Sequence, residues 1–366
     1  MTLLTCAPGE ELYSTFGHTA LRVQDSSRGT VEVFNYGTFE FGPDFYSQFI
    51  RGKLRYFLSV QPFFEFLEEY RYQSRSVVEQ EIQLGCSEKQ QLLRALYANA
   101  QGENRFYRYD FLFDNCTTRA GNMVVQNAGA PVAFRNILPS EVPSFRDLIH
   151  TYLDAGHQPW SKLGIDLLLG SDLDLKVSNR EAMFLPDYLL KGFDSASIGG
   201  RPLVTSPQKV LDVPSPLTAA PLITPTVAFF LLFLVIGALS FLQRKGIRRF
   251  LFFFDVLFFF LLGAVGLLLL FMWFGTDHIV CRNNFNLFWA LPTHLVMAFF
   301  LLRPTAWVRF YYGMVCGLSL VLLAAWAFLP QELNPALLPL VALIALRGWR
   351  RAQEINDGNK DHSDRR

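Results

Sequence analysis

Residues 251–274 read LFFFDVLFFFLLGAVGLLLLFMWF, a run long and apolar enough to cross a bilayer, which takes about 17 to 25 such residues. Working outward, four more runs have the same character: 222–242, 286–302, 308–329 and 333–349. The runs at 222–242, 251–274 and 308–329 have full spanning length. Those at 286–302 and 333–349 are short and carry Pro292 and Pro339, which the interior of a helix bundle tolerates. The expectation is an all-α membrane domain of five transmembrane helices over 222–349.

The loops orient it. Arg244, Lys245, Arg248 and Arg249 lie between the first two runs, Arg303 and Arg309 between the third and fourth, and Arg350 and Arg351 after the fifth. The alternate connections, 275–285 and 330–332, contribute only Arg282 as a cation. Basic loops stay in the cytoplasm, so an odd number of spans puts everything before residue 222 on the opposite side, with 350–366 as a cytoplasmic tail. That topology places the N-terminal domain outside the cytoplasm. Met1-Thr2-Leu3-Leu4 has neither the basic nor the apolar region of an export signal, and the expectation is a processed or truncated start.

The global figures hide this asymmetry. Net charge is +1 and 51% of residues are hydrophobic, with 36 Phe among 366 residues. No basic face or arm is visible, so nothing argues for a nucleic-acid partner. Charged residues concentrate before residue 200, which places a domain boundary at 201. From 202 to 221 the chain carries Pro202, Pro207, Pro214, Pro216 and Pro221, a density that favours an extended, stiff linker. Five cysteines are too few for a disulfide-built scaffold; one bridge, Cys6 to Cys86 for example, is compatible with an oxidising compartment.

Residues 1–201 mix strand and helix signals, an α+β pattern. Residues 18–23 and 31–36 alternate as neighbouring strands joined by the polar turn 24–29. Leu54, Tyr56, Leu58 and Val60 alternate, as do Val78, Ile82 and Leu84, while Phe63, Phe66, Leu67 and Tyr70 recur at helical spacing. Ser87 with Gln90 forms a capping-box pattern before a helix whose inner face is Leu93, Leu96, Tyr97 and Ala100.

Chemistry concentrates in two places. Phe16-Gly17-His18 stands at the mouth of a strand. In 109–119, YDFLFDNCTTR, an extended Phe-rich stretch breaks at Asp114-Asn115, and Asn115 is a natural N-cap. Cys116 then occupies the first helical turn, facing inward with Ala120, Met123 and Val124. A helix N-terminus favours the thiolate, which is the nucleophile. An acyl-transfer site needs that thiolate, an imidazole to exchange its proton and donors for the oxyanion. His18 can supply the imidazole and the first N–H groups of the helix the donors. Against this stands the plainer reading of Cys116 as a small buried hydrophobe and His18 as a structural strand residue.

The stretches LTCAPGEELYSTFGHTALRV (4–23), FNYGTF (34–39), RGKL (51–54), YDFLFDNC (109–116) and FLPDY (184–188) resemble the N-terminal periplasmic domain of the Lnb family, lipoprotein N-acyltransferases of Bacteroidota. The C-terminal runs resemble that family's membrane domain. The N-terminal domain also resembles the circularly permuted papain-like (NlpC/P60-type) thiol enzymes, in which the histidine strand precedes an Asn-Cys helix start. The resemblance implies Cys116 as nucleophile, His18 as base, and a third polar member on the next strand, Asn35 or Tyr36. It implies a phospholipid acyl donor, a diacylated lipoprotein acceptor, and a bacterial inner membrane with the N-terminal domain in the periplasm; no cofactor or metal is expected. Asn115 and Arg119 are candidate supporting residues. So are His278, Asn283 and Asn286, polar groups near the outer face of the membrane domain, where such residues are costly and often functional.

The remaining features read as structural. His150 and His157 suggest no metal site, and Asp172-Leu-Asp174 lacks the glycine and glutamate of a calcium loop. No HExxH, P-loop or dinucleotide fingerprint is present. Two rival readings stand beside acyl transfer: a membrane-tethered amidase or peptidase acting on cell-wall peptides, and a receptor or scaffold with a structural thiol. The aromatic, apolar surround of Cys116 favours a lipid over a polar peptide.

Overall fold

The computed structural model describes residues 1–214, 219–303 and 305–363. The chain divides into two compact units: Met1–His157 with Leu175–Ala220, and Gln158–Asp174 with Pro221–Arg366.

The first unit is built on strands β1 (Thr2–Cys6), β2 (His18–Asp25), β3 (Thr30–Thr38), β4 (Arg55–Pro62), β5 (Val77–Glu81), β6 (Phe106–Arg108), β7 (Val132–Ala133), β8 (Ser197–Ile198), β9 (Arg201–Pro202) and β10 (Gln208–Leu211). Seven of them form one antiparallel sheet in the order β10-β5-β1-β2-β3-β4-β6, and β7, β8 and β9 form a small second sheet. Period-2 alternation gives the large sheet two apolar faces. Leu3, Leu21, Phe34, Tyr36 and Leu58 point to one face, and Leu4, Ala20 and Val33 to the other. Along the chain before residue 200 run helices α1 (Phe45–Ile50), α2 (Phe63–Tyr72), α3 (Cys86–Ala100), α4 (Cys116–Gln126), α5 (Phe145–Ala155), α6 (Pro159–Leu168), α7 (Asn179–Ala182) and α8 (Pro186–Asp194). α3, α4 and α8 cover the first face of the sheet, and Phe66 and Tyr70 of α2 cover the second.

Three local expectations are revised. α3 begins at Cys86 with Gly85 as its cap and no side-chain cap bond, so Ser87 already lies in the first turn and cannot be the N-cap; its hydroxyl donates to Glu88. Its buried face is Leu92 and Leu96, with Leu93, Tyr97 and Ala100 only partly covered. Residues 202–211, read as linker, belong to the sheet: β10 pairs with β5, Val204 bridges Ile82, and Leu203 is fully buried. Proline density made the segment extended, and extended chain at a sheet edge becomes strand. Residues 215–218 lie outside the described region. All five cysteines are free: Cys6 is buried, Cys86 is exposed, and no bridge joins them.

The second unit holds α6, α9 (Pro225–Leu239), α10 (Lys245–Phe274), α11 (His294–Phe300), α12 (Ala306–Ala325) and α13 (Leu338–Ser363). α10, and α12 with its extension to Phe328, are long and apolar enough to cross a membrane, and α9 is a shorter apolar helix. The run 286–302 is not one continuous helix. It opens as the 3-10 turn Phe285–Phe288, breaks before Pro292 and resumes as the seven-residue α11. The fifth run continues past Trp349, so the tail as far as Ser363 prolongs α13. Gly263 and Gly266 let α10 approach the 290–295 backbone closely, since a side chain at either would collide with Leu295 N or Ala290 O.

One charged cluster is sealed in this unit. Asp255 of α10 and Arg347 of α13 are both fully buried and form a bidentate pair at 2.8 and 2.7 Å. Arg347 also donates to the Ser240 hydroxyl at 2.7 Å, and Arg351 donates to Asp255 and Glu354.

The segment 158–174, expected in the periplasmic domain, packs with the second unit. Leu163 joins its core. Asn284 and Asn286 donate to the end carbonyls of α6, with Nδ2–O distances of 2.7 Å to Leu167 and 2.9 Å to Asp166. Gln331 donates to Leu169 O and Asn334 to Asp166 Oδ2. The last carbonyls of a helix lack intrahelical partners, and the amides of Asn284, Asn286 and Gln331 satisfy them.

Candidate active site

α4 starts at Cys116 because Asn115 caps it. The Asn115 carboxamide oxygen accepts from Thr117 N and Thr118 N at 2.8 Å each, and Thr118 Oγ1 accepts from Asn115 N at 2.8 Å. Its Nδ2 donates to Phe111 O and Phe184 O at 2.7 and 2.9 Å. Asn115 is therefore the structural keystone of the turn, and it consumes two of the first-turn N–H groups. The Cys116 N–H is a first-turn donor that this carboxamide does not take.

β2 brings the imidazole. Gly17, at φ +80°, turns the loop into the strand where a Cβ would strike Cys6 O at 2.8 Å, and His18 follows as the first strand residue. His18 Nε2 meets Asn35 Oδ1 at 2.6 Å. The ring is also hydrogen-bonded to the Cys116 thiol. His18 and Asn35 lie on one face of the sheet, with Ala20 and Val33; Tyr36 points to the other, where its hydroxyl donates to Asn99 Oδ1 at 2.6 Å. Of the two candidates for the third position, Asn35 is the one in contact with His18. The β3–β4 register shifts between Asn35 and Thr38, and within that irregularity Gly37 takes φ +88°. A side chain at Gly37 would stand 3.4 Å from the Cys116 Cβ and 3.9 Å from the imidazole, so the bulge keeps backbone alone beside the pair.

The pair is electrostatically coupled. Burial by itself would raise the Cys116 pKa; the His18 charge and hydrogen bond, the Thr19 N–H and the Thr117 hydroxyl outweigh it and lower it from 9.0 to about 7. Burial would likewise lower the His18 pKa, but the Cys116 charge, the Cys116 hydrogen bond and the Asn35 contact raise it above the ordinary imidazole value. Cys6, by contrast, is pushed up to about 12 by burial, despite the nearby Arg75 cation. Its thiol stays protonated while that of Cys116 is poised to ionise.

A prediction follows from the sign of these shifts. Alkylation of Cys116 by iodoacetamide should reach half its limiting rate near pH 7. In His18→Ala burial remains and its counter-charge is gone, so the midpoint should climb towards 9 or beyond, with a fall of about tenfold or more in rate at pH 6.5. Mass-spectrometric pH–rate profiles of the Cys116 peptide check this; an unmoved midpoint would show that His18 does not set the thiol's charge.

Other residues take plainer places. Arg119 grips Asp114 at 2.7 Å through both Nε and Nη2 and lies 3.6 Å over the Tyr107 ring, which ties α4 to the loop before it. His278, Asn283 and Asn286 belong to the second unit. There Asn286 accepts from Trp289 Nε1 at 3.0 Å while capping α6, and Asn283 donates to Asp172 at 3.4 Å. Sequence reading missed Gly37, Thr19, Thr117 and Tyr70. Thr19 and Thr117 join their hydroxyls at 3.1 Å beneath Cys116, and Tyr70 stacks 6.5 Å from the His18 ring. The Phe184 carbonyl that anchors Asn115 lies in FLPDY, where the contact is made by backbone and left no side-chain signal to read. Among the described residues no cluster of His, Cys, Asp or Glu is arranged to hold a metal.

A sheet-built domain carrying a buried cysteine–histidine pair, joined to apolar helices, defines a membrane protein with a thiol site outside its membrane helices. Residues 1–149 match the Lnb N-terminal periplasmic domain and residues 218–353 the Lnb transmembrane domain. The chain belongs to the Lnb family. No curated protein and no solved structure matches it.

Proposed function

We propose that the protein is a membrane-bound N-acyltransferase that moves an acyl chain from a phospholipid, through a thioester on Cys116, to the α-amine of a diacylglyceryl-cysteine lipoprotein. The observation that carries this reading is the His18 ring held between Asn35 and a thiol whose pKa lies at about 7. The order of histidine strand and then Asn-Cys helix supports a permuted papain-like domain.

The Cys116 thiolate attacks an ester carbonyl of the phospholipid. The C–O bond breaks, and the departing lysophospholipid oxygen takes the proton from His18. The Cys116 N–H, at the start of the helix, donates to the oxyanion of each tetrahedral intermediate. The lipoprotein amine then attacks the thioester carbonyl, His18 takes its proton, and the thiolate leaves. Asn35 holds the imidazole in the plane that serves both transfers. Positive loops at 244–249, 303–309 and 350–351 support an inner-membrane orientation with the thiol domain in the periplasm and the C-terminus in the cytoplasm. Both substrates are lipids of that membrane, which favours acyl transfer over hydrolysis of a cell-wall peptide.

Expression in cells lacking their own N-acyltransferase tests the proposal. Mass spectra of lipoprotein N-termini should gain one amide-linked acyl chain. Its absence with a well-folded, membrane-inserted protein would favour the peptidase reading.

A further inference from the structure

The thiol pair sits at one end of the large sheet. β1 ends there at Cys6, opposite His18 and Val77, β3 arrives at Thr38, and β6 delivers the chain to the loop before Cys116. The connections 7–17, 39–54, 73–76 and 109–115 therefore all leave the sheet at this end. These connections and the adjoining end of α2 expose large apolar side chains: Leu12, Tyr13, Tyr72 and Phe113, and, in 39–54, Phe41 and Tyr46, which are 75% and 71% exposed. α1 buries none of its residues. The opposite end carries polar turns at 26–29 and 101–105, with Val60 and Phe64 as its exposed large apolar groups.

The exposed rings connect to the site. Phe41 and Phe45 pack at 4.5 Å, Phe41 meets Phe39 at 5.4 Å, and Phe39 meets Tyr56 at 5.4 Å. Tyr56 stacks on Tyr109 at 4.4 Å, and Tyr109 lines the same space at Gly37 as Cys116 and His18. Soluble domains seldom leave such a patch bare, and one running into a reactive centre marks what that centre receives. Aromatic side chains flanked by cations, here Arg51 and Lys53, are the composition of a segment lying in a bilayer interface. The chain's own spanning helices keep it at a bilayer.

We propose that the loop end of the sheet is a lipid-docking surface: the aromatic arm 39–50 enters the bilayer interface, and the wall of Phe39, Tyr56 and Tyr109 leads an acyl chain to Cys116. The inference rests on the acyl-transfer reading for the role of the wall, and on geometry for the docking.

The test uses the full chain in vesicles of phosphatidylethanolamine and phosphatidylglycerol. A p-benzoylphenylalanine in place of Tyr46 or Phe41 should give lipid adducts on irradiation, and one in place of Arg28, at the opposite end, should not. The double variant Phe41→Asp/Tyr46→Asp should lose at least about tenfold in acylation of Cys116 by vesicle phospholipid while keeping its acylation by a water-soluble short-chain ester. Adducts only to a second copy of the chain, no adducts, or equal loss with both donors would overturn the proposal. Lipid adducts without N-acylation of lipoproteins would overturn the functional reading and leave the docking surface standing, so the two failures are distinguishable.

Discussion

Cys116→Ser should abolish N-acylation of lipoproteins, with a loss of at least about 10³-fold, while leaving the chain folded and inserted. The substitution removes one polarisable atom from a side chain that is 8% exposed and puts a hydroxyl beside Thr117, which can hydrogen-bond it. Stability should hardly change. Reactivity should collapse, because the site is tuned to a thiol. His18 and the Thr19 N–H bring a thiol to about pH 7, but a serine hydroxyl starts many decades higher and the same partners cannot ionise it. Two measurements check it: lipoprotein N-termini by mass spectrometry, and the acyl-thioester on the Cys116 peptide, which hydroxylamine should release from the wild type. A serine variant with near-normal turnover would remove the thioester from the mechanism.

The second large effect lies in the other unit. Asp255→Ala should destabilise the helical unit by about 3 to 5 kcal/mol. Asp255 receives both Arg347 and Arg351, and Arg347 has no access to solvent. Removing the carboxylate leaves a guanidinium stranded in an apolar surround, with Ser240 as its remaining neutral partner. The damage comes from the orphaned charge rather than the lost attraction, so a second change should repair it. Asp255→Leu with Arg347→Met should recover much of the lost stability, as buried pairs often do when replaced by apolar side chains of similar size. Thermal aggregation of the detergent-solubilised full chain, followed by fluorescence size exclusion, reads both variants. A single variant as stable as wild type would mean that the arginines reach water.

What the sequence made legible follows from the range of each signal. The β2–β3 hairpin, β4, α2 and the Asn115–Cys116 helix start are written in local patterns of a few residues. The contact of His18 with Asn35 rather than Tyr36 depends on register, because period 2 sends Asn35 and Tyr36 to opposite faces and only the pairing with β2 says which face holds His18. The Ser87–Gln90 box failed because the helix starts one residue earlier, at Cys86, which leaves Ser87 inside the first turn rather than at the N-cap. Asn286 looked functional because a polar group among apolar residues has two explanations, reaction and capping, and its partner lies 120 positions away. The same distance hid the allegiance of 158–174: its leucines needed a core, and nothing local named which one.

That allegiance changes what it means to divide this protein. The chain passes between its two units three times, at 157–158, 174–175 and 220–221, and not only through the stretch after β10. A soluble fragment ending near residue 201 would carry α6 with Leu163 and the buried carboxylate of Asp166 stripped of their surroundings. A protease nick in the proline-rich stretch would release neither half, because 158–174 stays clasped by the amides of Asn284, Asn286, Gln331 and Asn334. Because the chain crosses three times, no single cut separates the two units.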